Sequence, residues 1–66
     1  MIVKVNDCTI RIFKGATVGD ALLRYAVRNG MELKMVASLK VTDRFGHLLD
    51  HAAPLRNRQT IKIIKI

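Results

Sequence analysis

The sequence predicts an α+β fold, a mixed sheet of four to five strands with one helix packed across it. Three observations lead there. Residues 13–30 carry one amphipathic helix with both ends marked. Alternating apolar and polar residues open the chain over 1–5 and close it over 59–66. Between them lie short alternating runs parted by turn residues, with no second helical period.

The helix is the best-marked element. Thr17 is the expected N-cap, and Asp20, three residues on, places a carboxylate in the first turn. That pair is a capping-box variant and also complements the helix dipole. Val18, Ala21, Leu22, Tyr25 and Ala26 recur at helical spacing as one apolar stripe, with Arg24 and Arg28 on the solvated side. Asn29-Gly30 closes the helix, because glycine takes a left-handed C′ position without a Cβ clash. A helix of about three turns cannot bury its stripe alone, so the strands must cover it.

Over residues 1–5, Val3 and Val5 fall on one face and Ile2 and Lys4 on the other. Asn6-Asp7 is a two-residue turn that tolerates positive φ, and it predicts a hairpin. Folding there sets Cys8 opposite Val5, Ile10 opposite Val3 and Ile12 opposite Met1, so the inward sets agree. Residues 31–35 read as a connector. Ala37, Leu39 and Val41 form a third alternating run, with Ser38, Lys40 and Thr42 facing out. Asp43-Arg44-Phe45-Gly46 is a turn, residues 47–49 a short fourth strand, and 51–58 an irregular crossing that holds Pro54. The last strand, 59–66, points Ile61 and Ile63 inward. The first and last strands, both strongly β-forming, are expected side by side in the middle of the sheet.

Sixty-six residues make one small domain, and a chain of this size buries only about 60% of its unfolded surface. Half of the residues are hydrophobic, which suits a folded chain. No apolar run reaches the roughly 20 residues of a membrane span, and no signal peptide is expected. The single cysteine, Cys8, leaves no internal disulfide and no four-cysteine metal or iron–sulfur site. A reduced, cytoplasmic setting is expected. Twelve Lys and Arg against five acids give a formal charge of +7, which favours anionic partners.

Strand, strand, helix, strand, short strand, strand, with the outer strands meeting centrally, is the β-grasp or ubiquitin-like arrangement. Two motifs narrow it. Lys14-Gly15-Ala16-Thr17-Val18, followed by Asp20 and Ala21, resembles the entry to the helix in two β-grasp families. One is the TGS domain of threonyl-tRNA synthetases, stringent-response synthetases and certain GTPases; the other is the small sulfur carriers of the thiamine and molybdopterin pathways. Residues 55–64, LRNRQTIKII, resemble the TGS ending, in which a Leu and a tight turn lead into the last strand. Val3-Lys4-Val5-Asn6 is closer to the sulfur carriers. Two departures stand out: Arg58 occupies a turn position that is usually Gly, and the Phe45-Gly46-His47 region is longer than in typical TGS domains. The resemblance to sulfur carriers implies a Gly-Gly tail, since only glycine fits the activating enzyme's channel. The sequence ends on Lys65-Ile66 with no glycine after Gly46, so carrier chemistry is not expected unless the tail is truncated; a sulfur-carrier-like protein with a degenerate or truncated tail is the least favoured reading.

Side chains that could do chemistry are few. His47 and His51 are four apart beside Asp50, but that spacing shares a face only on a helix, and the region reads as turn and strand. No metal is expected there. Cys8 reads as a small inward residue. No Ser/His/Asp set, phosphate-cradling loop or carboxylate pair is visible. The chain is therefore expected to be no enzyme and to use no cofactor.

The sheet face away from the helix is the candidate site. By alternation it carries Ile2, Lys4, Thr9, Arg11, Phe13, Ser38, Lys40, Lys62, Ile64 and Ile66, and nothing in a β-grasp chain covers it. Aliphatic residues ringed by cations suggest a binding surface, centred on Ile2, Lys4, Arg11, Phe13, Lys40, Lys62 and Ile64. The expected partner is a protein, or a second copy of the chain. RNA or a nucleotide is the alternative, from the charge and the TGS resemblance. Phe13 is the only aromatic residue on the face, however, and stacking platforms use more.

Overall fold

The computed structural model describes residues 1–64; Ile66, expected on the open face, lies outside them. Strand β1 (Ile2–Val5) and strand β2 (Cys8–Arg11) form the predicted antiparallel hairpin, with Val3 opposite Ile10 and Val5 opposite Cys8. The Ile12 N–H donates to the Met1 carbonyl at 2.9 Å, so the third predicted pair is in register too. Asn6 turns the chain at φ 54°, a left-handed conformation in which Asn is enriched. Val3, Val5 and Ile10 are buried, and Cys8 packs half-buried against them.

Helix α1 (Val18–Arg28) starts and stops where its local chemistry directs. The Asp20 N–H donates to Thr17 Oγ1 at 3.3 Å, and the Thr17 N–H donates back to Asp20 Oδ2 at 2.9 Å. At the other end Gly30 has φ 69°. The Met31 N–H reaches the Ala26 carbonyl at 2.8 Å and the Gly30 N–H reaches the Val27 carbonyl at 3.4 Å. Those are the two bonds of a Schellman stop. Thr17→Ala removes one side of the capping box and is expected to cost about 1 kcal/mol. In a domain of this size that lowers the melting temperature by about 4–8 °C, which a thermal melt followed by circular dichroism would measure.

After the helix the chain departs from expectation. The run containing Ala37 and Leu39 begins not as strand but as a 3₁₀ helix, Leu33–Ser38, and the strand starts only at Lys40. Val36 and Leu39 are the buried residues, while Ala37 is exposed. Their spacing of three matches the 3₁₀ period. The Ser38 hydroxyl donates to the Met35 carbonyl at 2.8 Å, so Ser38 belongs to this turn and leaves the predicted sheet face.

Strands β3 (Lys40–Asp43), β4 (Leu48–Leu49) and β5 (Thr60–Ile64) complete a five-stranded sheet in the order β2-β1-β5-β3-β4. β1 and β5 run parallel side by side, and the other neighbours are antiparallel. α1 packs on β1 and β2. Leu22, Val18, Ala21 and Ala26 meet Val3, Val5, Ile10, Val41 and Ile61 in one core. Thr42, expected to face solvent, is only 8% exposed between Lys62 and Leu48 in register.

The crossing over residues 51–58 serves the helix. Carbonyls of Ala53 and His51 accept the first helical N–H groups, from Val18 at 2.9 Å and Gly19 at 2.8 Å. A Cβ on Gly19 would lie 3.2 Å from the His51 carbonyl oxygen, which explains a glycine inside this first turn. The crossing ends at Arg58, with φ 67°. A side chain in that conformation costs about 1–2 kcal/mol, partly offset in any glycine variant by greater unfolded-state entropy. Arg58→Gly is accordingly expected to stabilise the domain by about 0.5–1 kcal/mol, measured as a higher urea midpoint.

Candidate functional site

The open face can be mapped strand by strand. In register, Ile2 stands beside Arg11, and Lys4 beside Thr9 on one side and Thr60 on the other. Further along, Lys62 lies beside Thr42, and Ile64 beside Lys40. Arg11, Lys4, Lys62 and Lys40 therefore step across β2, β1, β5 and β3, each one strand over and two residues along. Diagonal neighbours of this kind are about 7–8 Å apart, so the four predicted cations form one oblique line. All four are exposed.

The aliphatic residues lie elsewhere than expected. Ile2 flanks the Arg11 end of the line and Ile64 the Lys40 end, six residues apart by register, or roughly 20 Å along the strands. Phe13 continues the parity of Arg11 beyond the end of β2 and is 57% exposed. The centre of the face is thus cationic, with threonines between the charges and apolar groups at its ends. Sequence alternation assigned the faces of β1, β2 and β5 but could not set the offset between β1 and β5. That offset is held by the Lys4 and Asn6 N–H groups, which donate to the Gln59 and Ile61 carbonyls at 2.9 and 2.8 Å.

Among the described residues the ion pairs are Lys34 with Glu32 and His47 with Asp43, and none involves the diagonal. Asp43, next to Thr42 at the end of β3, is turned into its own loop. Its Oδ1 accepts the His47 N–H at 3.0 Å and the Phe45 N–H at 2.8 Å. The His47 amide bond chiefly holds the Asp43 carboxyl below its ordinary range; partial burial opposes it, and the Phe45 amide and His47 ring assist. A lowered carboxyl pKa adds stability above the ordinary carboxylate range, which is lost as pH falls through the lowered value.

The two histidines are kept apart in role. His47 is exposed beside Asp43, whereas the His51 Nε2–H donates to the Leu39 carbonyl at 2.7 Å. No group of three or more metal-ligating side chains occurs among the described residues. No helix there is long and apolar enough to cross a membrane.

A second surface escaped the sequence analysis. Leu23, Val27 and Leu33 stand exposed in a groove between α1 and the β2 edge, whose floor is the buried Ile10 and whose lining includes Arg11, Arg24 and Arg28. The available signal was Leu23 and Val27, four apart on the helix and off the buried stripe.

What these features define is a small α+β domain whose exposed chemistry lies on surfaces. In comparison with known proteins, no family model and no curated protein matches the chain.

Proposed function

We propose that this chain is a β-grasp domain acting as a non-enzymatic binding module, which docks a protein partner through the open face of its sheet. The β-grasp assignment draws support from the parallel β1–β5 pair within the sheet and the single helix packed across it. The resemblance to TGS domains and sulfur carriers fits the same arrangement. One observation carries the functional proposal: the oblique line Arg11, Lys4, Lys62, Lys40, exposed and in no ion pair among the described residues. Cations so placed speed encounter with an acidic surface and set its orientation. Ile2 and Ile64 at the two ends supply apolar contact beside the charged centre. A reduced, cytoplasmic setting suits the free thiol of Cys8.

Single-stranded RNA is the second candidate, favoured by the same line of charge. Threonines, not aromatic rings, occupy the positions between the cations, and base stacking needs rings. An amide NMR titration separates the two, using deca-glutamate and a ten-nucleotide RNA in parallel. Protein docking expects deca-glutamate to shift Lys4, Lys40 and Lys62 as much as RNA does. If only RNA shifts them, with affinity falling as salt rises at a slope of about −0.7 per phosphate contacted, the domain binds RNA. If neither shifts them, the open face is not the site.

A further inference from the structure

The groove beside β2 has the parts of a peptide site. β2 is an outermost strand, hydrogen-bonded only to β1. Met1 and Ile12 exchange both backbone bonds, at 2.9 and 3.0 Å. By antiparallel alternation Ile10 and Cys8 direct their peptide groups to β1, and Thr9 and Arg11 direct theirs outward. One outward acceptor is occupied, since Arg28 Nη1 donates to the Thr9 carbonyl at 2.8 Å. The Thr9 N–H, the Arg11 N–H and the Arg11 carbonyl have no partner among the described residues. An unpaired edge of this kind is a template for another strand.

Next to the edge, Leu23, Val27 and Leu33 are 43%, 67% and 53% exposed. Three large apolar side chains in one groove exceed the scattered exposure of an ordinary surface. Arg11, Arg24 and Arg28 line the same groove and no acidic residue does. The charge selects the occupant. A second copy would bring its own arginines against these on a chain of net charge +7, and like charges so opposed disfavour pairing.

We propose that this groove binds an extended acidic peptide as an added strand on β2. The peptide's backbone pairs with Thr9 and Arg11, its alternate apolar side chains rest on Leu23, Val27 and Leu33, and its carboxylates meet the arginines. Strand addition accounts for all three features at one place: free edge groups, apolar groove, basic rim. The site is distinct from the cation diagonal, and Arg11 stands where the two surfaces adjoin.

The test titrates the ¹⁵N-labelled chain with the peptide acetyl-Glu-Val-Asp-Val-Asp-Val-Glu-amide. Saturable shifts are expected at Thr9, Arg11, Leu23 and Val27, with slowed hydrogen exchange of the Thr9 and Arg11 amides. Replacing the peptide's acids by Lys should weaken binding more than tenfold, as should Arg24→Glu with Arg28→Glu. Val27→Asp, on the exposed helix flank, should weaken it similarly with an unchanged circular dichroism spectrum and leaves the Arg28 contact in place. Lys4→Glu with Lys62→Glu should change it less than threefold. Unchanged exchange at Thr9 and Arg11, equal binding of the Lys peptide, or shifts confined to Lys4, Lys40 and Lys62 would each overturn the proposal. So would concentration-dependent dimerisation through the same amides without peptide, which assigns the edge to a second copy.

Discussion

Reversing Lys4 and Lys62 together, as Lys4→Glu with Lys62→Glu, is expected to weaken binding at the open face more than tenfold while leaving the fold intact. These two residues are the middle steps of the diagonal, on the adjacent strands β1 and β5. Each reversal removes two units of charge and together they take the net charge from +7 to +3. A charge pair at contact distance in water is worth about 1 kcal/mol. Losing two attractions costs about 2 kcal/mol and the two repulsions add about as much again, which exceeds tenfold in affinity. Both side chains are exposed and make no ion pair among the described residues, so the melting temperature should hardly move. The measurement is the deca-glutamate titration repeated on the variant, with a thermal melt beside it. Unchanged affinity in a folded variant would remove the open face from consideration.

Leu22→Ala is expected to bring the largest loss of stability. Leu22 is fully buried and, with Ile61, among the largest completely enclosed side chains of the described residues, on the helix face that meets β1 and β2. Cutting a buried Leu to Ala costs about 2–5 kcal/mol, part transfer and part cavity. At roughly 0.05–0.15 kcal/mol per residue, a domain of this length has only about 3–10 kcal/mol in total. The variant should sit near its folding threshold, with the urea midpoint lowered by roughly 2–5 M for a slope near 1 kcal/mol/M. Leu23→Ala is the internal control: one residue along, it is 43% exposed and should cost no more than about 0.5 kcal/mol. Equal effects from the two would mean that the helix is rotated from the face assigned to it.

Legibility in the sequence followed the range of each interaction. Thr17 and Asp20 meet across three residues, so their capping box was visible from spacing alone. The hairpin was legible because one turn and two alternating runs overdetermine its register. The 3₁₀ helix Leu33–Ser38 stands where the sequence predicts a connector over 31–35 and a strand from Ala37, because Ala37, Leu39 and Val41 alternate as a strand does. Val36 is a core residue that the alternation passes over, and only its burial separates a three-residue from a two-residue period. Arg58 was noticed as a departure from a glycine position, and its φ of 67° gives that departure a physical meaning.

The candidate site divides in the same way. Which residues face away from the helix follows from strand alternation, and Ile2, Lys4, Arg11, Lys40, Lys62 and Ile64 keep the parity predicted for them. How they neighbour one another does not follow, because each strand may slide by two residues without exchanging faces. The actual offset depends on partners more than fifty residues apart. Asn57 Oδ1 accepts the Ile2 N–H at 3.0 Å, and Asn6 Oδ1 accepts the Ile63 N–H at 3.0 Å while its Nδ2 donates to the Tyr25 hydroxyl at 3.3 Å. Those bonds set β5 against β1 and turn an expected aliphatic centre into a cationic diagonal. The sequence alone thus determined the helix, its ends, the first hairpin and the two faces of the first and last strands, since neighbours along the chain dictate them. The line of charge and the groove beside β2 were decided by the tertiary structure, because each exists only where distant segments meet in one register.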